Sequence, residues 1–404
     1  MFDIIVVGGG AAGLIAAISA KEENPTLNIT IFERLQRVGQ KLATTGNGRC
    51  NISNKNISSE NFHGENPSFS DFALKSFDLE KTQNFFEECG IIFKEGENGK
   101  LYPYSLQASS VVDALRFKAE KEGISILTEK EISKVKKNGK TFDVYCDEKY
   151  SSKAIIFATG GKSGGKIATD SGYKLLESLG HTLTKLTPAI VQVKTDNTYT
   201  RQLKGVKVDG TVSVSIGDTI YKDYGEVLFC DYGLSGPPIL QLSRYMQKDT
   251  IIKIDLMPEF EKKDLIENLQ SRLYNLSPIL CGDFFAGMLH KRLGQVVLKK
   301  CGFSINDTAS FTYKDLVKIA TTIKEFSFKF IDHNGFQNAQ VTHGGVKTTE
   351  FSPETFQSKK HSGLFACGEV LDIDGDCGGY NLQWAWSSGY ICGKAAAKYG
   401  EAFK

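Results

Sequence analysis

Proline is scarce in this chain, 9 of 404 residues, and neither sign of charge predominates. Lys and Arg number 49 against 47 Asp and Glu, a formal net charge of +2. A surface built for indiscriminate contact with nucleic acid or anionic membrane carries a larger excess of one sign, so neither partner is expected. No run approaches the ~18 consecutive apolar residues of a membrane helix, so no span and no membrane partner is expected. No basic, apolar, small-residue leader is visible. Met1 is followed almost at once by Asp3 and then Ile4-Ile5-Val6-Val7-Gly8, which reads as a strand. The nine cysteines (50, 89, 146, 230, 281, 301, 367, 377 and 392) include no Cys-x-x-Cys pair. A zinc cage or redox pair is therefore not expected, no metal is assigned, and reduced thiols in a cytoplasmic protein are the expectation.

Glycine is abundant: 40 of 404 residues, about 10% against a usual ~7%. Plentiful glycine without proline suggests backbone that approaches something closely rather than linker. The length suggests two or three domains at ~150 residues each, and 41% hydrophobic with 24% charged residues fits a folded globule.

Residues 3 to 33 read as strand, tight turn, helix, strand. Ile4-Ile5-Val6-Val7 suits a strand buried on both faces, and the small apolar residues 14–20 suit a helix lying close on a sheet. Asn24-Pro25 breaks that helix, and 28–32 is the second strand. Helices are expected near 68–89 and 108–122, a strand near 124–128, a strand pair around 130–149, and a buried strand at 154–158. From Thr187-Pro188 the pattern turns to period two, through Val206, Val208, Val212, Val214, Ile216 and later Ile252 and Ile254. Residues 259–323 turn helical, 325–330 return to strand, and a Gly-rich character resumes after about 338. The reading is a first domain at 1–187, a β-rich insertion at 188–258, a helical subdomain at 259–323, a return strand at 324–337, and the rest of the first domain at 338–404, ending in a helix over 381–398.

The strongest motif is Gly8-x-Gly10-x-x-Gly13, after a strand and opening a helix. Gly8 permits the tight turn, Gly10 lets backbone approach a pyrophosphate, and Gly13 lets the helix sit close to the strand. Ala12 lies in the same turn. The helix N-terminus supplies N–H donors and a partial positive charge. Glu33 ends the second strand, where an acid accepts hydrogen bonds from ribose hydroxyls. This pyrophosphate-plus-ribose pattern points to a dinucleotide rather than FMN. Arg34 and Lys41 follow, then the loop Thr45, Gly48, Arg49, Cys50 and Asn51, past which a long phosphate-bearing ligand would thread. Cys50 stands roughly where flavin disulfide reductases place a redox thiol, but Lys55 occupies the position of the second one. Cys50 is therefore read as a packed thiol near the cofactor.

Residues 158–167 carry two decoys. Gly161-x-Ser163-x-Gly165 resembles a nucleophile elbow. Gly160 through Lys166 resembles a phosphate loop, but Ile167 replaces the Ser or Thr that would bind magnesium. The preferred reading is a turn, Ala158-Thr159-Gly160, at a strand end beside the cofactor. Ile132, in the strand pair, joins the same set. Further on, 363–369 reads as a strand ending in Gly368-Glu369, followed by Asp372, Asp374 and Asp376. The aspartates are wrongly spaced for a calcium loop. Gly378 and Gly379 lead into a helix opened by Asn381 and Leu382. Gly379 is read as leaving room for a flat ring, and the helix end as stabilising negative charge on its pyrimidine edge.

The segments Thr45–Asn51, Ala158–Ser163, Gly233–Pro237, Thr342–Val346, Gly368–Gly375 and Gly378–Gln383 together resemble one bacterial flavoprotein family, called BaiN-like, aminoacetone-oxidase-like, or NAD(P)/FAD-dependent oxidoreductase. The resemblance runs from 3 to about 396. It implies an α/β fold: a glutathione-reductase-type Rossmann FAD domain with an inserted β-barrel-like domain and a helical subdomain. It also implies amine oxidation or steroid and bile-acid reduction. Lys162-Ser163-Gly164-Gly165 departs from relatives that carry an aromatic-Pro pair after the serine.

The expectation is a soluble FAD oxidoreductase acting on a small molecule. A tRNA-modifying flavoprotein and a non-catalytic flavin binder stand as alternatives. No second Gly-x-Gly-x-x-Gly unit is seen, so oxygen, another carrier or transiently docked NAD(P)H remain as electron partners. The sequence leaves the oligomeric state open. His343 and Tyr102 are the candidate catalytic groups, each with a packing role standing beside the chemical one. His290 is the weaker third.

Overall fold

The computed structural model describes residues 1–401. The chain divides into two compact units, residues 1–187 with those from Gln340 onward, and residues 188–339.

The first unit is built on a seven-stranded sheet. Phe2–Val7 lies at its centre, parallel to Ile29–Phe32 on one side and to Lys149–Phe157 on the other. Ser125–Leu127 extends the sheet beyond Ile29–Phe32. The nine-residue strand Lys149–Phe157 divides its second edge. Residues 149–152 pair with the antiparallel hairpin strand Thr141–Tyr145, and 155–157 pair with Leu364–Ala366. The latter pairing carries the C-terminal segment back into the sheet.

The first helix, Ala11–Glu23, is buried from Ala12 to Ala20 with no polar face. Such a helix needs cover on both sides. The sheet supplies one side and the closing helix, Tyr380–Glu401, the other. A Cβ at Gly389 would lie 2.5 Å from the Ala12 carbonyl oxygen, and one at Gly393 would lie 2.1 Å from that of Ala16. These two glycines let the backbones touch, and Ser19 Oγ donates across the seam to the Tyr390 carbonyl at 3.0 Å.

Three local expectations are refined. The segment expected as a loop from Thr44 begins as a helix, Gln40–Gly48, broken at Thr45, Gly46 and Asn47, with Gly46 and Asn47 left-handed. The helix expected near 68–89 is three pieces, Pro67–Ser70, Asp71–Ser76 and Leu79–Glu88. The last is restarted by Asp78, whose carboxylate accepts from the Lys81 amide. The closing helix is longer than expected at both ends.

The second unit holds a closed six-stranded barrel, in the order Val193–Thr195, Gly233–Ser235, Thr219–Phe229, Lys207–Ile216, Ile251–Asp255 and Phe326–His333. Alternate residues Val212, Val214, Ile252, Ile254, Phe326 and Phe328 fill its core. Helices Lys262–Leu276, Lys291–Lys300 and Tyr313–Lys324 belong to the same unit. Among the described residues no helix is long and apolar enough to cross a membrane.

Candidate functional site

The glycine turn has the geometry its spacing demands. Gly8 has φ +105°, and a Cβ there would come within 2.5 Å of the Ala158 carbonyl oxygen. A Cβ on Gly13 would lie 1.9 Å from the Gly8 carbonyl oxygen, so the helix seats directly on the turn. Gly10 differs: nothing lies within 4 Å of its would-be Cβ. It is also the N-cap of the first helix and offers no side-chain cap. The helix end therefore presents backbone N–H groups to open space, the arrangement that receives phosphate.

Behind the turn, Glu33 is buried and accepts from the Gly9 amide at 2.8 Å and the Leu35 amide at 2.8 Å. Ala158 donates its amide to the Val7 carbonyl, and Gly160, with φ +71°, again faces open space. From the far end of the chain, Gly368 comes so close that its Cβ would lie 2.8 Å from the Ala12 methyl. Its amide donates to Ser388 Oγ at 3.0 Å. Open glycine backbone, an uncapped helix end and a buried acid fit the pyrophosphate and ribose of FAD.

Several of the other expected cofactor residues also bond within the protein. Lys41 and Glu369 bond each other at 2.6 Å, and Glu369 also accepts from the Thr342 amide. Arg34 donates to the Ile167 carbonyl, and Thr45 Oγ1 to that of Leu42. Arg49 lies over the Tyr102 ring at 5.3 Å, while Asn51 accepts from the Leu101 amide. Gly48 has φ +80° and open space above it; Ile132 is buried and Leu382 half-buried. The Thr159 hydroxyl lies against Gly172. Cys50 is buried, and burial pushes its thiol up to about 12, with Thr45 opposing slightly, so it is not a nucleophile at neutral pH. Ser163 is buried and accepts from Thr342 Oγ1 at 3.0 Å, which rules out the nucleophile elbow. His290 precedes the helix Lys291–Lys300 rather than lying in it.

His343 and Tyr102 fall in different clusters. Tyr102 sits on Lys100–Pro103 under Arg49. His343 Nδ1 lies 2.6 Å from Oδ1 of Asp374, whose side chain is fully buried. A carboxylate accepts, so Nδ1–H donates and the tautomer is fixed. Asp374 leads into Gly375, which Asn381 grips: Oδ1 accepts from the Gly375 amide at 2.8 Å, and Nδ2 donates to the carbonyls of Gly375 and Asp376. The helix start thus anchors the loop carrying the carboxylate. Gly379 has φ +106°, and its Cβ would strike the Ser53 carbonyl oxygen at 2.6 Å, so backbone packing alone demands glycine here.

The aspartates weighed only as calcium ligands prove to be partners of other residues. Asp372 accepts from the Glu65 amide, and Asp376 pairs with His63 at 2.8 Å. Burial pushes the Asp372 carboxyl up. His63 and Asp376 were missed, although the alternation of Asp372, Asp374 and Asp376 is a strand-like signal that places acids on one face. Among the described residues no group of His, Cys, Asp or Glu is placed to hold a metal.

This first unit is a Rossmann-type FAD domain. Residues 2–395 match the model of the HI0933-like protein Rossmann domain, and the chain belongs to that family. It is 35% identical to a 3-dehydro-bile acid delta(4,6)-reductase of Clostridium scindens, over 97% of this chain and 98% of that one. It is 30% identical to a ribosomal RNA dihydrouridine synthase of Haemophilus influenzae, over 96% of each chain. Among solved structures, Escherichia coli quinol fumarate reductase FrdA superposes with a TM-score of 0.51 at 16% identity. It covers all of this chain and 71% of that one, a likeness of fold alone.

Proposed function

We propose that the protein is an FAD-dependent reductase of a carbon–carbon double bond conjugated to a carbonyl. The observation that carries this reading is the His343–Asp374 pair at 2.6 Å, anchored through Gly375 and Asn381 to the start of the closing helix. The two relatives support it through a shared chemistry. A 3-dehydro-bile acid with a delta-4 double bond and a uracil ring both hold a C=C next to a carbonyl.

Bound FAD supplies a hydride when reduced, with NAD(P)H proposed as the transient donor. That hydride, with its electron pair, would form a C–H bond at the carbon β to the carbonyl. The π electrons move to the carbonyl oxygen, and a proton at the α carbon restores the carbonyl. His343 is the proposed proton donor. Asp374 holds its Nδ1–H, so only the doubly protonated imidazolium carries a second proton, at Nε2, and passing that proton to substrate returns the neutral Nδ1–H ring. Gly10 and the first helix end would hold the pyrophosphate and Glu33 the ribose. The closing helix end would favour negative charge on a reduced flavin held beside it.

A second reading, a uracil within RNA as substrate, is favoured by one feature of the chain. Arg34, Arg37, Lys41, Arg49 and Lys55 follow one another with no acid before Glu60, although Lys41 is paired with Glu369 and Lys55 with Glu95. The test of both is anaerobic. The yellow protein is bleached with NADH or NADPH, then mixed with a conjugated ketosteroid or a uridine-containing RNA, and the products are analysed.

A further inference from the structure

Three cations without acids gather round Tyr102. Arg49 follows the broken helix Gln40–Gly48, in a turn where Gly46, Asn47, Gly48 and Cys50 all take positive φ. Its Nε donates to the Gly46 carbonyl at 3.3 Å, and its guanidinium lies over the Tyr102 ring, 5.3 Å from the centroid. That ring is fixed at both edges: a Cβ on Gly96 would lie 2.9 Å from Tyr102 Cε2, and one on Gly46 would lie 3.7 Å from Cε1. Leu101 and Pro103 are buried, so Lys100 and Tyr102 share the outward face of Lys100–Pro103. Lys94, on the neighbouring strand Phe93–Glu95, stands directly opposite Tyr102, with Cβ atoms ~5 Å apart. Among the described residues no carboxylate pairs with Arg49, Lys94 or Lys100, and nothing bonds the two terminal nitrogens of Arg49. Nearby Lys55 shows the ordinary arrangement, its ammonium on Glu95.

We propose that Arg49, carried on Tyr102 with Lys100 and Lys94 beside it, binds an anionic group of the substrate, a carboxylate or a phosphate. The inference rests on the reductase reading and adds a charged end to the conjugated carbonyl compound. A guanidinium bonded at Nε keeps Nη1 and Nη2 for a ligand, and that planar fork matches the two oxygens of a carboxylate or phosphate. Stacking on a fixed ring holds the plane of the fork, so little ordering is left for binding to supply. Covering a tyrosine ring needs one cation. Three gathered without acids repel one another, and a bound anion removes that cost. The cluster also borders the proposed reaction centre. Asn54, opposite Lys100, donates to the Gly378 carbonyl at 2.9 Å, and a Cβ on Gly378 would lie 3.6 Å from Lys100 Cε. Gly378 closes the loop that begins at Asp374, the partner of His343. Gly48, next to Arg49, has open space above it.

The test measures binding to the FAD-loaded protein by equilibrium dialysis, with two matched pairs of probes. One pair is a conjugated ketosteroid carboxylic acid and its methyl ester; the other is uridine monophosphate and uridine. The parent is expected to prefer the anion of at least one pair by about tenfold to a hundredfold, the worth of one charged hydrogen bond. Preference within the first pair marks a carboxylate as the group bound, and within the second a phosphate. Arg49→Gln should abolish most of that preference. Lys100→Gln should narrow it in the same direction and carries the test if Arg49→Gln fails to fold. A role confined to packing on Tyr102 would weaken both members of a pair alike, and an unchanged ratio overturns the inference. A parent without preference in either pair overturns it too, as does loss of FAD from folded Arg49→Gln, which would make Arg49 a cofactor ligand. The reductase reading is judged separately, by whether the reduced parent saturates any of the four probes, and it stands or falls on that result alone.

Discussion

Glu33 Oε2 accepts the Gly9 amide at 2.8 Å, so the acid that would hold a ribose also anchors the turn that would hold the pyrophosphate. Its other oxygen accepts the Leu35 amide. Glu33→Ala therefore has two expected effects. Leaving buried amides unpaired costs ~1–3 kcal/mol of stability, measurable by urea unfolding. FAD affinity falls about tenfold to a hundredfold by fluorescence titration. Unchanged affinity would show that Glu33 braces the turn without holding the ribose, and unchanged stability as well would show that its two amide bonds contribute nothing measurable.

Gly379 and Asn381 give the corresponding test at the closing helix. Gly379→Val places a side chain at φ +106° against the Ser53 carbonyl, and Asn381→Leu strips three hydrogen bonds from the 375–376 loop. Both are expected to lower stability even without cofactor. A role at the flavin shows as a further fall in reduction potential for Asn381→Leu, modest at ~0.3–1 kcal/mol of helix-end interaction. Spectroelectrochemistry on the loaded variant reads it.

Acid should unfold the first unit through His181 and Glu350. His181 is buried, Nδ1 on Glu350 at 2.7 Å and Nε2 on Ser358. Burial lowers its pKa below 6.5 despite the carboxylate, so the unfolded chain binds the proton more readily and stability declines as pH falls below that value. Burial opposes Glu350 ionisation, but Lys360, Thr182 and His181 hold its carboxyl down at about 2. Its contribution is complete above 4.5 and is lost as pH falls toward 2. Urea unfolding from about pH 7 to about pH 3 should show a continuous decline. Glu350→Gln should flatten its lower part.

Cys50 should resist modification. Its thiol is buried and held at about 12. Iodoacetamide at neutral pH should leave it unlabelled in the native protein and label it in denaturant, as peptide mass spectrometry would show. Labelling of native Cys50 would reinstate it as a reactive group.

The glycine turn and the acid behind it are legible in the sequence because their signals are local. An apolar strand, glycines at fixed offsets and an acid closing the next strand fall within 33 residues. Pairings across the chain were not. Lys41 and Glu369 are 328 positions apart, and His343 and Asp374 are 31 apart, with nothing in either segment naming its partner. Gly379 was found for a partly different reason: room for a ring was inferred, whereas the Ser53 backbone already requires it. Asn381 was placed correctly at the start of the closing helix, but its side chain serves the loop carrying Asp374. His63 lay in a stretch without periodicity, and only strand pairing brings it to Asp376.

Reduction of a conjugated double bond with His343 as proton donor can be followed by the flavin's colour. Its most direct test is the reoxidation of anaerobically reduced holoprotein by a conjugated ketone, followed by the return of the yellow absorbance. The conjugated compound is expected to restore the colour and emerge saturated, its saturated counterpart is not, and His343→Gln should slow the step about a hundredfold or more. Colour that returns only with oxygen, or an unchanged rate in His343→Gln, would contradict it.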